Sequence, residues 1–173
     1  MNVLEQFSKI KTFVFDMDGV LTDGSLTLLP DGAMCRRMNI KDGYALQLAV
    51  KKQYNIVVIS GGTSPESEMR LRKLGITNIF MQVPDKATLL KEFLEEKKIL
   101  SEQVLFMGDD VPDFNAMQIV GLPCCPTDAA IEIKEIAHYI SPLKGGEGCV
   151  RDVIEKVLKL QHNWKDDFFI QSK

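Results

Sequence analysis

The sequence lacks the features that mark membrane, secreted and nucleic-acid-binding proteins. No apolar run approaches the roughly 20 residues of a membrane-spanning helix. The first six residues lack the basic start and apolar core of a secretion signal. The formal net charge of −3 over 173 residues argues against a broad electrostatic surface for nucleic acid. These absences predict a cytoplasmic protein that binds neither a membrane nor nucleic acid.

Cysteine is scarce, and its spacing does not suit a metal site. The chain has four cysteines, none in a Cys-x-x-Cys pair, so a zinc site is not expected. A disulfide framework would be unusual in a chain of this length without an export signal. Cys124 and Cys125 lie in an apolar stretch, which is typical of buried, reduced thiols. The cysteines are therefore expected to serve packing.

Short, continuous apolar runs recur along the chain and predict strands. Such runs, rather than alternating ones, are typical of strands buried on both faces of a parallel sheet. Helical patterns occupy the segments between them, so the sequence predicts an α/β fold with a doubly wound, mostly parallel sheet. One domain spanning residues 1–173 accounts for the whole length. The predicted strands are 12–15, 55–59, 79–81, 104–107, 121–124 and 138–140, and the predicted helices 42–52, 64–75, 85–97, 113–119, 128–136 and 147–160.

Capping residues indicate where several of these helices begin and end. Ser64 is followed by proline and an acid, a typical helix start, and Gly75 is a plausible terminator. Asp42, Asp85 and Asp128 are each interpreted as the N-cap of the helix that follows.

Residues 25–40 interrupt the alternation of strands and helices. Two stretches of apolar residues flank Pro30-Asp31-Gly32, a pattern that predicts a β-hairpin. A hairpin inserted directly after the first strand cannot easily join the parallel sheet, so it should project from it. Its exposed edges would need covering, which makes the hairpin a candidate contact between subunits.

Polar residues follow the predicted strands, where ligands bind in open α/β sheets. A single aspartate in such a place would be a helix cap or a turn residue. Capping does not explain clusters of aspartates at two strand ends, and crowded carboxylates repel unless a cation offsets their charge. Mg²⁺ is the expected cation, since it is held by one or two carboxylates, water and substrate phosphate. The polar residues expected at this edge of the sheet are Asp16, Asp18, Ser60, Lys86, Asp109, Asp110 and Asp113.

Four stretches of the chain that contain these residues resemble the motifs of the haloacid dehalogenase-like phosphatases, and they occur in the same order. The first motif is carried by Asp16-Met17-Asp18-Gly19-Val20-Leu21-Thr22-Asp23-Gly24, and the others by Ser60, Lys86 and Gly108-Asp109-Asp110-Val111-Pro112-Asp113. Residues 39–44 and 145–152 narrow the resemblance to the 3-deoxy-D-manno-octulosonate 8-phosphate phosphatases. These relatives are homotetramers without a cap domain. No cap fits this chain either, because residues 19–59 and 61–85 are filled by the predicted elements.

The resemblance implies a Mg²⁺-dependent phosphomonoesterase in lipopolysaccharide precursor synthesis. Asp16 would be the nucleophile that forms an aspartyl-phosphate, and Asp18 the general acid and base. Asp16, the Asp18 backbone carbonyl and Asp109 would hold the metal. The other implied roles are phosphate binding by Ser60, Gly61 and Lys86, substrate binding by Lys41, Gly62 and Arg151, and orientation of metal waters and Lys86 by Asp110 and Asp113.

Two departures leave the substrate open. Gly62 stands where the octulosonate group commonly has Arg and where relatives acting on a nine-carbon keto-deoxy sugar acid 9-phosphate tend to have Glu. Lys41 stands where an Arg is common, so it keeps the charge without the bidentate fork. A receiver-type signalling domain also combines carboxylates, a hydroxyl and a lysine, but in a different order along the chain. A catalytically idle relative is a third alternative, although no motif is missing.

Overall fold

Six parallel strands form the central sheet of the computed structural model, which describes residues 2–164 and residue 170. The strands of the described chain are β1 (Thr12–Phe15), β2 (Thr27–Leu28), β3 (Met34–Cys35), β4 (Asn55–Ile59), β5 (Asn78–Phe80), β6 (Val104–Met107), β7 (Leu122–Cys125) and β8 (Tyr139–Ile140). The sheet order is β5-β4-β1-β6-β7-β8, so β1 lies centrally between β4 and β6. This placement makes the carboxyl end of β1 the point where the strand order reverses and ligands bind.

Helices cover both faces of the sheet, which confirms the doubly wound α/β fold. Side chains of β1 alternate between two buried cores, one on each face of the sheet: Phe13 and Phe15 lie in one core and Val14 in the other. Burial on both faces explains the continuous apolar runs. The helices are α1 (Val3–Lys9), α2 (Ile40–Lys51), α3 (Pro65–Lys73), α4 (Lys86–Lys97), α5 (Phe114–Met117), α6 (Ile131–Ile136) and α7 (Cys149–Leu160). No pattern in the sequence predicted α1.

Two of the predicted helix caps are confirmed. The Ser64 side chain accepts a hydrogen bond from the Ser67 amide at 3.3 Å, with Pro65 at the first helical position. Asp85 accepts from the Thr88 amide at 3.0 Å. Gly75 follows α3 with φ of +94°, a conformation that glycine adopts without strain.

The predictions for Asp42 and Asp128 are wrong. The cap of α2 is Asn39, whose side chain accepts from the Lys41 amide at 2.8 Å, so Asp42 lies inside the first turn. Asp42 instead accepts from the Arg151 amide at 2.7 Å. Asp128 precedes α6 by several residues and accepts from the Gly145 amide at 3.0 Å. Both carboxylates bind backbone amides of distant segments, which local sequence patterns do not reveal.

The predicted hairpin is present and stands outside the central sheet. β2 pairs with β3 in the antiparallel sense, and the turn closes through a 2.9 Å bond from the Leu29 amide to the Ala33 carbonyl. Both strands are exposed and shorter than predicted. Between β1 and α4, the described chain holds this hairpin, α2, β4, α3 and β5 and no cap domain.

All four cysteines are free thiols. Cys124, Cys125 and Cys149 are buried, which agrees with the predicted packing role, whereas Cys35 is exposed on β3, so the prediction is wrong for this residue. Among the described residues, no helix combines the length and apolar character needed to cross a membrane.

Candidate active site

The carboxyl ends of β1, β4 and β6 open into a pocket of about 340 Å³. It is lined by Asp16, Asp18, Gly24, Ser60, Gly61, Gly62, Lys86, Asp109, Asp110, Pro112 and Asp113. The rim residues predicted from the strand ends are therefore brought together, whereas Lys41 and Arg151 do not line this pocket.

Lys86 is buried between two carboxylates. Its ammonium donates to Asp16 Oδ1 at 2.7 Å and to Asp113 Oδ1 at 2.6 Å, and its side chain is 6% exposed. Burial by itself would lower the lysine pKa, but the charges of Asp113 and Asp16 outweigh it, and the pKa is raised. Lys86 therefore stays charged and holds one oxygen of Asp16 in place.

The carboxylates of Asp16, Asp109 and Asp113 carry more negative charge than the ammonium of Lys86 can offset. Oxygens of Asp16, Asp109 and Asp113 lie within 4.8 Å of one another. Burial, followed by the charges of Asp16 and Asp113, raises the pKa of Asp109 to about 8. Burial and the charge of Asp113 raise the pKa of Asp16 to about 6.

The same carboxylates fit a divalent cation. Asp109 Oδ1 is buried and has no hydrogen-bond partner in the described part of the chain. A cation would satisfy this oxygen and offset the repulsion that raises both pKa values. Asp113 Oδ2 accepts from the Asp109 amide at 3.1 Å and holds the Asp109 loop in position.

Asp18 faces the pocket beside Asp16 and is bound by an arginine that the sequence analysis missed. Arg36 Nε donates to Asp18 Oδ1 at 2.8 Å, and Arg36 Nη2 donates to Asp18 Oδ2 at 3.1 Å. Thr22 Oγ1 also donates to Asp18 Oδ1, at 3.2 Å. Arg36 directly follows β3, so the hairpin brings a cation into the active site. No local motif marks this residue.

Ser60 and Gly62 line the same pocket as the aspartates, and Gly62 lies next to Asp18. The Ser60 side chain is buried at the end of β4, and its hydroxyl accepts from the Gly62 amide at 3.2 Å. Asp110 is exposed at the rim, where its carboxylate accepts from the Val111 amide at 2.8 Å. Asp110 therefore lies farther from the buried ion cluster than Asp113 does.

The glycine-rich loop at 145–148 packs against the turn that carries Asp18. The Gly146 amide donates to the Val20 carbonyl at 2.9 Å. A Cβ atom on Gly145 would lie 1.9 Å from the Gly19 carbonyl oxygen, so only glycine fits there. The loop thus supports the first-motif turn from behind.

Lys41 and Arg151 lie away from the carboxylate cluster. Lys41 is exposed in the first turn of α2. Arg151 Nε donates to Glu155 at 3.2 Å, and its guanidinium lies 5.5 Å from the Tyr44 ring centre and 5.4 Å from that of Trp164. The sequence from Trp164 to Phe169 is aromatic and acidic, and residues 165–169 lie outside the described residues.

Comparison with known proteins identifies the class of enzyme to which this site belongs. Residues 63–153 match the model of the haloacid dehalogenase-like hydrolases. Over 160 residues the chain is 31% identical to 3-deoxy-D-manno-octulosonate 8-phosphate phosphatase of Yersinia pestis. The aligned region covers 92% of this chain and 86% of the Yersinia protein. The chain therefore belongs to the haloacid dehalogenase-like hydrolases. It is a phosphoric monoester hydrolase, similar to the octulosonate 8-phosphate phosphatases and distinct from receiver domains.

Two solved structures show the same architecture with bound metal. The Moraxella catarrhalis octulosonate 8-phosphate phosphatase, in complex with magnesium, phosphate and the sugar acid, superposes with a TM-score of 0.91 at 30% identity, over 95% of each chain. The cobalt-bound octulosonate 8-phosphate phosphatase of Haemophilus influenzae superposes with a TM-score of 0.86 at 28% identity. The match covers 91% of this chain and 92% of the Haemophilus chain.

Proposed function

We propose that this protein hydrolyses 3-deoxy-D-manno-octulosonate 8-phosphate to the free sugar acid and phosphate, as a cytoplasmic step of lipopolysaccharide precursor synthesis. The observation that carries the proposal is the largely buried cluster of Asp16, Asp109, Asp113 and Lys86 at the carboxyl edge of the sheet. Its support is the similarity, over 92% of the chain, to a phosphatase with this substrate.

The residues that would hold Mg²⁺ are the Asp16 carboxylate, the Asp18 backbone carbonyl and the Asp109 carboxylate. The unpartnered Asp109 oxygen is the feature that supports this assignment. When bound, the ion would offset the charge between an anionic nucleophile and an anionic phosphate.

Asp16 is the proposed nucleophile. Lys86 holds Asp16 Oδ1, and Asp16 Oδ2 would attack phosphorus. A bond then forms between this oxygen and phosphorus, and the ester P–O bond breaks in line with it. The leaving sugar oxygen takes a proton from Asp18. Asp18 next removes a proton from water, which attacks the aspartyl-phosphate and releases phosphate from Asp16.

The remaining residues at the rim of the pocket would bind the phosphate and orient Lys86 and water. The Ser60 hydroxyl and the Gly61 amide would donate to phosphate oxygens, and Lys86 would add a positive charge. Asp113 holds Lys86 through the 2.6 Å ion pair, and Asp110 would orient water at the rim. Lys41 and Arg151 stay predictions for the substrate carboxylate, acting within their own subunit or across to a neighbouring one.

A panel of substrates tests the proposal. The kcat/KM values of the eight-carbon acid phosphate, the nine-carbon acid 9-phosphate and a neutral hexose 6-phosphate should be compared with Mg²⁺ present. We expect the eight-carbon acid to be preferred. A preference for the nine-carbon acid, which Gly62 leaves open, would keep the mechanism and change the substrate. A preference for the neutral sugar would reject the sugar-acid assignment.

We also propose a homotetramer that assembles through the hairpin of residues 25–40. The hairpin lies outside the sheet and presents exposed apolar side chains. Without a cap domain, a neighbouring subunit would be the element that shields the pocket from water.

A further inference from the structure

The first turn of α2 holds the start of α7 at two points. The Asn39 side-chain amide donates to the Gly146 carbonyl at 3.3 Å, and Asp42 Oδ1 accepts from the Arg151 amide at 2.7 Å. These two backbone groups lie on either side of Gly148, the N-cap of α7, which makes no side-chain cap bond of its own. Arg151 is the third residue of α7, the position whose amide an N-cap side chain would bind. Asp42 therefore caps α7 from another helix.

The segment held in this way packs against the turn of the first motif. The Val20 carbonyl accepts from the Gly146 amide at 2.9 Å. The same turn lies against a carboxylate of the active site, because a Cβ atom on Gly19 would be 2.0 Å from Asp109 Oδ2. A displacement of the turn would therefore disturb both the proposed general acid, which directly precedes Gly19, and Asp109.

Asp42 is a costly residue for the stability of the fold. It is 2% exposed, and its Oδ2 has no hydrogen-bond partner in the described part of the chain. Burial raises the pKa of Asp42 to about 6, although the Arg151 amide and the Arg151 charge act to lower it. Since the folded-state pKa lies above the ordinary value of 3.8, the ionised carboxylate lowers the stability of the folded chain above about pH 6. Stability alone therefore does not account for a carboxylate at this position.

We propose that Asp42 is a positioning residue of the hydrolase: its hydrogen bond to the Arg151 amide fixes the start of α7 and, through the glycine-rich loop, the turn that carries Asp18. The inference rests on the roles proposed for Asp16 and Asp18, and it applies to any phosphate monoester. The hydrogen-bond acceptor at position 42 performs this role, and the charge is not required for it.

The kinetic test compares Asp42→Ala and Asp42→Asn, with p-nitrophenyl phosphate as the substrate and Mg²⁺ present. Asp42→Ala should lower kcat about 10-fold or more, with KM within about twofold of wild type, because it displaces groups that act in the chemical step. Asp42→Asn retains an oxygen for the Arg151 amide, so it should recover most of kcat. Without the buried charge, Asp42→Asn should also melt at the wild-type temperature or above it at pH 8.

Asp152→Ala is the matched control. Asp152 is another largely buried carboxylate at the start of α7, but it accepts from the Tyr139 hydroxyl at 2.7 Å and pairs with Lys156. Its removal should lower the melting temperature and leave kcat at the wild-type value. Equal kcat losses in Asp152→Ala and Asp42→Ala would assign Asp42 a general structural role and overturn the inference.

A measurement without substrate tests the same contact. Amide hydrogen exchange, followed by NMR in the free enzyme, should be about 10-fold or more faster at Gly146 and Arg151 in Asp42→Ala, because local opening of the loop becomes easier. Asp42→Asn and Asp152→Ala should keep the wild-type exchange rates at these two amides. If Asp42→Ala does not fold, Asp42→Ser withdraws the acceptor by shortening the side chain and carries the same comparison.

The outcomes separate this inference from the proposed function. Wild-type kcat in Asp42→Ala, an Asp42→Asn variant as slow as Asp42→Ala, or unchanged exchange of the Gly146 amide would each overturn the inference. A wild-type enzyme that does not hydrolyse sugar acid phosphates, but whose turnover of p-nitrophenyl phosphate falls in Asp42→Ala and recovers in Asp42→Asn, would reject the proposed substrate and support the inference.

Discussion

At the scale of single residues, the site is governed by a shortage of positive charge. Lys86 compensates Asp16 and Asp113, whereas Asp109 is left with a buried, unpartnered oxygen among the described residues. Removing one partner of a buried ion pair leaves an uncompensated charge, which costs more than the pair itself contributes. The individual charges can therefore be tested separately for their effects on activity, stability and metal affinity.

Replacement of Asp16 by Asn should abolish turnover and leave the fold intact. The amide is nearly isosteric but is not a nucleophile, so kcat should fall by at least about 1,000-fold. Steady-state kinetics and circular dichroism check the two parts of this prediction. Asp31→Asn, in the exposed hairpin turn, is the control and should retain activity. Wild-type turnover in Asp16→Asn would show that another residue is the nucleophile.

Replacement of Lys86 by Ala should lower the free energy of unfolding by about 3 kcal/mol, because Asp16 and Asp113 then face each other without a cation. Lys97→Ala removes a lysine from the same helix, but its ion pair with Glu96 is exposed, so the change should be below about 1 kcal/mol. Urea unfolding of the metal-free proteins measures both values. Equal losses in the two variants would contradict the structural importance of the buried charge.

The raised pKa values predict that metal binding and stability depend on pH. In the folded chain the pKa of Asp109 is about 8 and that of Asp16 about 6, against an ordinary value of 3.8. Between about pH 4 and pH 8 the folded protein thus binds more protons than the unfolded chain. Its metal-free stability should fall as the pH rises through this window.

Mg²⁺ requires deprotonated carboxylates, so its binding should release protons and raise the melting temperature more at pH 8 than at pH 5. Thermal melts with EDTA or Mg²⁺ at the two pH values measure the effect, and calorimetry in buffers of different ionisation enthalpy counts the protons. If Mg²⁺ raised the melting temperature by the same amount at pH 5 and at pH 8, this cluster would be excluded as the metal site.

At the scale of elements, the first-motif turn is supported by a loop that lies far from it in the sequence. The Gly145–Gly146 backbone packs on the turn at Gly19–Asp23, and Asn39 donates to the Gly146 carbonyl at 3.3 Å. Asp42 joins α2 to the start of α7 through the Arg151 amide. The position of Asp18 therefore depends on α2 and α7 as well as on its own strand.

Gly146→Ala should lower kcat about 100-fold by displacing the turn that carries Asp18. Its Cβ would lie 2.5 Å from the Asp23 amide nitrogen. Gly32→Ala is a matched control: both glycines have positive φ, +66° and +86°, but a Cβ on Gly32 meets no atom within 4 Å. The two variants share the backbone strain of about 1 kcal/mol, so only Gly146→Ala should lose activity. Comparable kcat values in the two variants would refute the supporting role of the loop.

At the scale of the whole molecule, the exposed apolar face of the hairpin predicts self-association. Leu28 is 72% exposed, and Leu26 and Met34 lie near it on the same hairpin with 46% and 44% exposure. Apolar side chains grouped in this way mark an interface more often than scattered ones do. A tetramer built on this face would also bring a second subunit close to the pocket beside Arg36.

Sedimentation velocity should show a homotetramer, and Leu28→Glu should dissociate it and reduce activity because a charge on each subunit would be buried at the interface. Ile131 is also 72% exposed but lies on α6, so Ile131→Glu should remain a tetramer. A fully active wild-type monomer would contradict the proposal.

The sequence by itself determined the α/β class, the six parallel strands and the rim residues from Asp16 to Asp113. These features follow from local rules: strands buried on both faces are apolar throughout, and the carboxyl ends of parallel strands share one edge. Only the tertiary structure decided which charges meet. Arg36 binds Asp18 across 18 positions, and Asp42 binds the Arg151 amide across 109. Capping and periodicity act over a few residues, whereas these contacts depend on how the hairpin, α2 and α7 pack around the first strand.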